Sequence, residues 1–283
     1  MGSAIPQVIT PSKASGAQVI DGSLKFGDST DATGPYLTRT ASAGNRKTWT
    51  LSCWIKRNVI SDSNDQRIFT GRDGDASGTQ GFIKFQSTDV IQYVDSANSA
   101  SIATTAKFRD TGWYHLTAVL DASNTTFYIY INGQQQTLTG TQPSNADGNI
   151  NNNILHAISY DYYSGGTGEH TDTLMSQFYF IDGQALDASY FGFTDPLTNT
   201  WKPKKYTGTF GTNGFYLPMD GNSPIGQDQS GNGNDWTPVN FGGSVALDNP
   251  QVSGAKPILN TTQGGSQAGV GVFGSKQNVG YAV

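Results

Sequence analysis

"KTWTLSCWIKR", residues 47–57, decides the fold class. Trp49, Leu51, Cys53 and Ile55 alternate with Thr50, Ser52, Trp54 and Lys56. A period of two sustained over four repeats belongs to a β-strand with one apolar face; a helix would return its apolar residues every three or four positions. The row Trp49, Leu51, Cys53, Ile55 therefore predicts a sheet closed over a core on that side. Within it, Cys53 reads as a small buried hydrophobe and not as a reactive thiol.

The neighbouring segments repeat the logic. In "GWYHLTAVLDASNTTFYIYINGQQQTL", residues 112–138, Trp113 to Leu120 makes one strand, "DASN" turns it and Phe127 to Ile131 makes the partner. Asn132-Gly133 then supplies the two positive φ angles of a tight type I′ turn. "LMSQFYFIDGQAL" at 174–186 carries a turn at Asp182-Gly183, and "ALDASYFG" predicts one short helical turn from about Asp187. "QRIFTGRDG", "GFIKFQSTDVIQYV" and "GTNGFYLPMD" add further strands separated by Gly, Asn and Asp. These are successive antiparallel hairpins. Residues 1–18 read as an N-terminal arm, 19–245 as one sandwich and 246–283 as an extended Gly-rich C-terminal tail, too poor in large apolar side chains to build its own core.

Composition agrees. Charged residues are 14% of the 283, against an ordinary share of about 25%, and glycine numbers 35. Of 22 acidic residues only Glu169 is a glutamate, and scarcity of Glu, Lys and Arg removes the usual fillers of exposed helix faces. A net charge of -5 with no basic stripe argues against nucleic acid; Lys202, Lys204 and Lys205 in "WKPKKY" read as a solvated connection. With Cys53 alone, no intrachain disulfide forms. The opening residues lack a basic and an apolar signal region, and no run of about 18 apolar residues occurs, so synthesis in a cytoplasm without membrane insertion is expected.

"GSLKFGDSTDATGPYLTRT", "WTLSCWIKR", "WYHLTAVLDASNTTFYIYINGQ" and "FYFIDGQAL" follow the order of a laminin-G-like, concanavalin A-type module, which the region from about 20 to 240 resembles. The resemblance implies an all-β, antiparallel two-sheet jelly-roll sandwich, with Trp49, Leu51, Cys53, Ile55, Trp113, Asn132 and Gly133 as its core signature. "FGFTDPLTNTWKPKKYTGTFGTNGFYLPMD" and "DQSGNGNDWTPVNF" look more particularly like structural proteins of marine tailed bacteriophages, including cyanophages. That likeness implies a virion component, a tail fibre or capsid-surface decoration, whose partners are other virion proteins and copies of itself. In many such modules a "DSSGNGN" turn precedes the first strand; here "DQSGNGNDW" comes late, as in a circular shift.

Catalysis is not expected. Laminarinase-like members of the fold resemble one another in an E-x-D-x-x-E strand whose glutamates act as nucleophile and acid/base, and one glutamate cannot supply it. His115, His156 and His170 are too scattered for zinc, and His115 reads as packing. A polysaccharide depolymerase would need an aspartate pair, yet the aspartates sit mostly in turns. Asp228 to Trp236 has the oxygen spacing of half an EF-hand but Val239 where the closing glutamate belongs; it reads as a Gly/Asn turn with Trp236 at a sheet edge. The candidate ligand or interface cluster is Tyr160, Asp161, Tyr162, Tyr163, Glu169 and His170, in "SYDYYSGGTGEH". Its aromatic faces and polar edges suit a host glycan, a subunit interface or plain sandwich packing. No cofactor is expected; some modules of the family it resembles hold a calcium ion at the sandwich rim, and Asp62, Asp65, Asp73 and Asp75 are the candidate oxygens for one here.

Overall fold

A computed structural model describes residues 16–20, 22–27, 34–60, 63–74, 79–161, 170–220 and 223–241. Most of the arm and all of the tail expected from the sequence lie outside them. The described residues contain strands and two short 3-10 turns, and no α-helix; no helix among them is long and apolar enough to cross a membrane.

Two antiparallel sheets face one another. The first runs Leu24–Phe26, Thr173–Asp182, Thr48–Arg57, Trp113–Asp121, Thr126–Ile131, Gln134–Gln135, with Phe215–Leu217 also paired to Thr173–Asp182. The second runs Leu138–Thr141, Ala100–Thr104, Ile91–Asp95, Gln80–Phe85, Gln66–Arg72, Leu155–Ile158, Tyr36–Thr40, Thr237–Val239. This is the jelly-roll sandwich expected. The expected inward row holds: Trp49, Leu51, Cys53 and Ile55 are fully buried. Tyr93 of the second sheet stacks on Phe127 at 4.1 Å and meets Trp49 edge-on at 5.8 Å, while Phe69 lies 5.6 Å from Phe180. Alternation thus delivers one apolar side chain in two to the space between sheets, and aromatic pairs fill it.

Turn chemistry sets the registers. Asn132 and Gly133 take φ of 50° and 78°, both left-handed, as a type I′ turn requires. Asp187 caps the short turn Ala188–Tyr190, its side chain accepting from the Ser189 amide at 2.8 Å. The strand Thr173–Asp182 carries a bulge between Ser176 and Tyr179. On one side of that bulge it pairs with Leu24–Phe26 and on the other with Phe215–Leu217, so the irregularity is where one neighbour replaces another.

Three expectations are corrected. The outward row of Thr50, Ser52 and Trp54 is itself buried. Chain from 184 to 210 folds across it, and Tyr179, Ile181, Leu186, Phe191, Tyr206 and Tyr216 form a second apolar cluster there. Trp113 and Asn132, expected with the core signature, belong to this outer side: Trp113 is the register partner of outward-facing Lys56 and both are half-buried. Trp236 is not an edge residue either; it is buried between the sheets against Phe215 and Phe69 at 4.9 and 6.0 Å.

Candidate functional site

The outer side of the first sheet carries an open groove of about 490 Å³, lined by Trp54, Trp113, Asn132, Gln134, Thr194, Asn199, Thr200 and Trp201. Its floor comes from the sheet. Trp54 lies on the outward row of Thr48–Arg57, Trp113 begins the adjacent strand, Asn132 sits in the tight turn and Gln134 follows it. Its far wall is a two-stranded hairpin, Gly192–Thr194 with Trp201–Pro203. Asp195 closes that hairpin, its carboxylate accepting from the Leu197 amide at 2.9 Å and its own amide donating to Thr200 at 2.8 Å. The hairpin is fastened by the Gln18 amide to the Pro203 carbonyl at 3.0 Å and by Phe191 and Tyr206 packed on Tyr179.

Two glycines seat the Trp201 indole. A Cβ on Gly133 would fall 2.3 Å from its ring, and one on Gly192 would fall 2.5 Å from it. Gly133 therefore serves the turn and the wall at once. Beneath, Trp201 Nε1 donates to His115 Nδ1 at 3.0 Å, and His115 Nε2 lies 2.9 Å from Ser52 Oγ. An indole nitrogen only donates. Nδ1 must therefore be the accepting nitrogen, and the imidazole proton sits on Nε2, donated to Ser52.

That assignment decides the chemistry of the Ser–His pair. A general base would need Nε2 bare to take the hydroxyl proton, with Nδ1–H held by a carboxylate; here both polarities are reversed. Burial also pushes the His115 imidazole down to about 3, and both residues are sealed from solvent. The pair is structural, in line with the packing role expected for His115. His156 is likewise buried, accepting from the Asn151 amide at Nε2 and held to the Ile154 carbonyl through Nδ1.

The cluster expected around 160–170 is only partly within the described residues, since Tyr162, Tyr163 and Glu169 lie outside them. Tyr160 stacks on Tyr36 at 4.3 Å and meets His170 in a tilted contact at 4.8 Å, and His170 is fully buried. Asp161 is buried between two guanidiniums, accepting from Arg67 at 3.0 Å and Arg72 at 3.2 Å. Of the candidate calcium oxygens, Asp62 and Asp75 lie outside the described residues. Asp65 accepts from Lys84 and the Ser87 amide, while the Asp73 backbone joins Thr79. Among the described residues no three His, Cys, Asp or Glu groups converge as metal ligands.

The loop from Asp228 is a turn. The Asp228 carboxylate accepts from the amides of Tyr216, Ser230 and Asn234 and from the Ser230 hydroxyl, all within 2.8–2.9 Å. Gly231 and Gly233 take positive φ, as the Gly/Asn reading required. Asn232 and Asn234 lean away to donate to backbone carbonyls of 211–214.

Sequence reasoning did not find the groove. Its three tryptophans lie in distant segments, and only the outward phase of Trp54 in the alternating strand hinted at it.

The model of the concanavalin A-like lectin/glucanases superfamily (Laminin_G_3) matches residues 30–189, more than half of the chain. No curated protein matches. Among solved structures, the fold is similar to a Bacteroides ovatus protein proposed to bind carbohydrate, at 15% identity and a TM-score of 0.54, over 78% of this chain and 58% of that one. Mouse laminin α1 domains LG4-5 overlap at 12% identity and a TM-score of 0.41, over 68% and 47% of the two chains. Trypanosoma rangeli sialidase overlaps at 14% and 0.43, over 61% and 27%. The groove wall formed by Thr194, Asn199, Thr200 and Trp201 follows the matched segment, whereas its floor lies inside it. Because that segment holds most strands of both sheets, the chain belongs to the concanavalin A-like lectin/glucanases superfamily.

Proposed function

We propose that this protein is a non-catalytic carbohydrate-binding module whose ligand lies in the Trp54–Trp113–Trp201 groove. One observation carries the reading: three tryptophans from separate segments converge on an open groove whose remaining lining is amide and hydroxyl. Indole faces stack on the C–H faces of sugar rings, and amides serve as both donor and acceptor to hydroxyls. The groove volume is in the range of small-ligand sites. A glycosidase would need two carboxyl groups flanking the scissile bond, and no carboxylate lines this groove. A glycan array with wild-type protein, Trp113→Ala and Trp201→Ala tests it. Binding by wild type that both variants lose is expected; binding that survives both places the ligand elsewhere.

The setting we propose is the particle of a tailed bacteriophage. Support comes from residues 191–220 and 228–241, which resemble phage structural proteins and of which the first includes the groove wall. Here the module would display the groove to host glycans, with other virion proteins and copies of itself as assembly partners. Mass spectrometry of purified particles tests this; absence of the chain from intact virions would end it.

A further inference from the structure

We infer that the groove takes an uncharged polysaccharide and grips it without help from a cation. This rests on the carbohydrate reading above and adds the ligand's class. Every lining residue is neutral: indoles, carboxamides and threonines. An anionic sugar would have to place its carboxylate or sulfate against ring faces that carry negative quadrupole density, with no guanidinium or ammonium to replace lost water. A sugar hydroxyl meets the opposite situation. Carboxamides donate and accept at once, as hydroxyls do, so each contact is satisfied without changing charge.

Asn132 shows how the floor is prepared for this. Its Oδ1 accepts from the His115 amide at 2.8 Å, which holds in place a side chain that lines the groove.

The charges nearby stand outside the lining. Lys56 shares the outer face and pairs in register with Trp113. Lys202 follows Trp201 and pairs with Phe193, and successive strand residues point to opposite sides. His115, the titratable group packed under Trp201, is hydrogen-bonded on both ring nitrogens and held neutral by burial. A neutral lining implies affinity insensitive to salt, chelator and mild pH change.

The test uses the full chain with laminarin, mannan and dextran as neutral probes and alginate and polygalacturonate as acidic ones. Each is titrated at low and high NaCl, with and without EDTA, at about pH 6 and about pH 8. We expect at least one neutral polymer to bind with affinity changing less than about twofold across these conditions. Both acidic polymers should bind about tenfold more weakly or not at all. Trp113→Ala should lower neutral binding about tenfold or more at unchanged melting temperature, and Lys56→Gln should leave it as it was. Tighter binding of an acidic polymer, falling with salt or with Lys56→Gln, or any loss on chelation, overturns the inference while leaving carbohydrate recognition intact. Silence toward both classes removes the carbohydrate reading itself, and the inference with it.

Discussion

The indole N–H of Trp201 donates to Nδ1 of His115 across 3.0 Å, tying the surface hairpin to the sheet beneath it. The bond fixes the ring's tilt in the groove and the tautomer of the histidine together. Replacing His115 with Leu strands the Trp201 N–H and removes the proton given to Ser52. We expect a loss of about 2–3 kcal/mol in denaturant unfolding and weaker glycan binding. Ser52→Ala should cost about 1 kcal/mol and leave binding alone. If Ser52→Ala abolished a measurable polysaccharide turnover, the structural reading of the pair would be wrong.

Gly133→Ala is expected to damage two things at once. Its φ of 78° disfavours any side chain, and its Cβ would sit 2.3 Å from the Trp201 ring. The stability cost should be about 1–3 kcal/mol, with a change in tryptophan emission as the indole is displaced. Gly231→Ala gives the contrast, since a Cβ there meets nothing within 4 Å although φ is 94°; it should cost backbone strain and leave the emission unaltered.

In the core, Trp49→Ala should cost about 3–5 kcal/mol, since Tyr93, Phe127 and Phe180 all pack on the indole. Trp49→Phe should cost far less, below about 1.5 kcal/mol. The buried Trp49 Nε1 has no hydrogen-bond partner among the described residues, so losing it relieves an unmet donor. Equal losses for both variants in urea unfolding would contradict this packing.

Stability should fall with acid through the histidines. Burial lowers His115 to about 3 and His156 to about 4, whereas an unfolded histidine titrates near about 6.5. Between those values the unfolded chain binds more protons than the folded one. The histidine contribution is therefore complete above about pH 6.5 and is lost as pH drops toward about 4, by up to about 1.4 kcal/mol per pH unit for each group. Asp95 works the other way, because burial raises its carboxyl and the folded chain protonates it first. Urea midpoints measured from about pH 8 to about pH 4 should be level and then decline, with a shallower decline in His156→Gln.

How far the fold was legible follows from which forces are local. Alternation in Trp49 to Ile55 reports directly on burial between sheets, and Asn132-Gly133 reports on backbone angles, so both could be read from the chain. The cover over Thr50, Ser52 and Trp54 could not. It is made by chain returning from far along the sequence, Gln184 and Leu186 at Thr50 and Trp201 over the His115–Ser52 pair, and an outer row looks the same whether water or protein lies above it. The same blindness hid the groove, whose wall sits in the stretch read as solvated lysines. Tyr160, Asp161 and His170 drew attention as chemistry-bearing side chains close in sequence, and of the three readings left open for them the pairing of buried Asp161 with Arg67 and Arg72 favours packing.

The hairpin from Gly192 to Pro203 touches the sandwich through a few fastenings and ends in Leu197, the most exposed large apolar side chain among the described residues, at 78%. Lying beyond the family-matched segment, it supplies Thr194, Asn199, Thr200 and Trp201 to the groove and meets the sheet through Gly133 and His115. Under the carbohydrate reading proposed above, exchanging this one short cassette would rebuild the wall that faces the ligand and leave the sheet-borne floor in place.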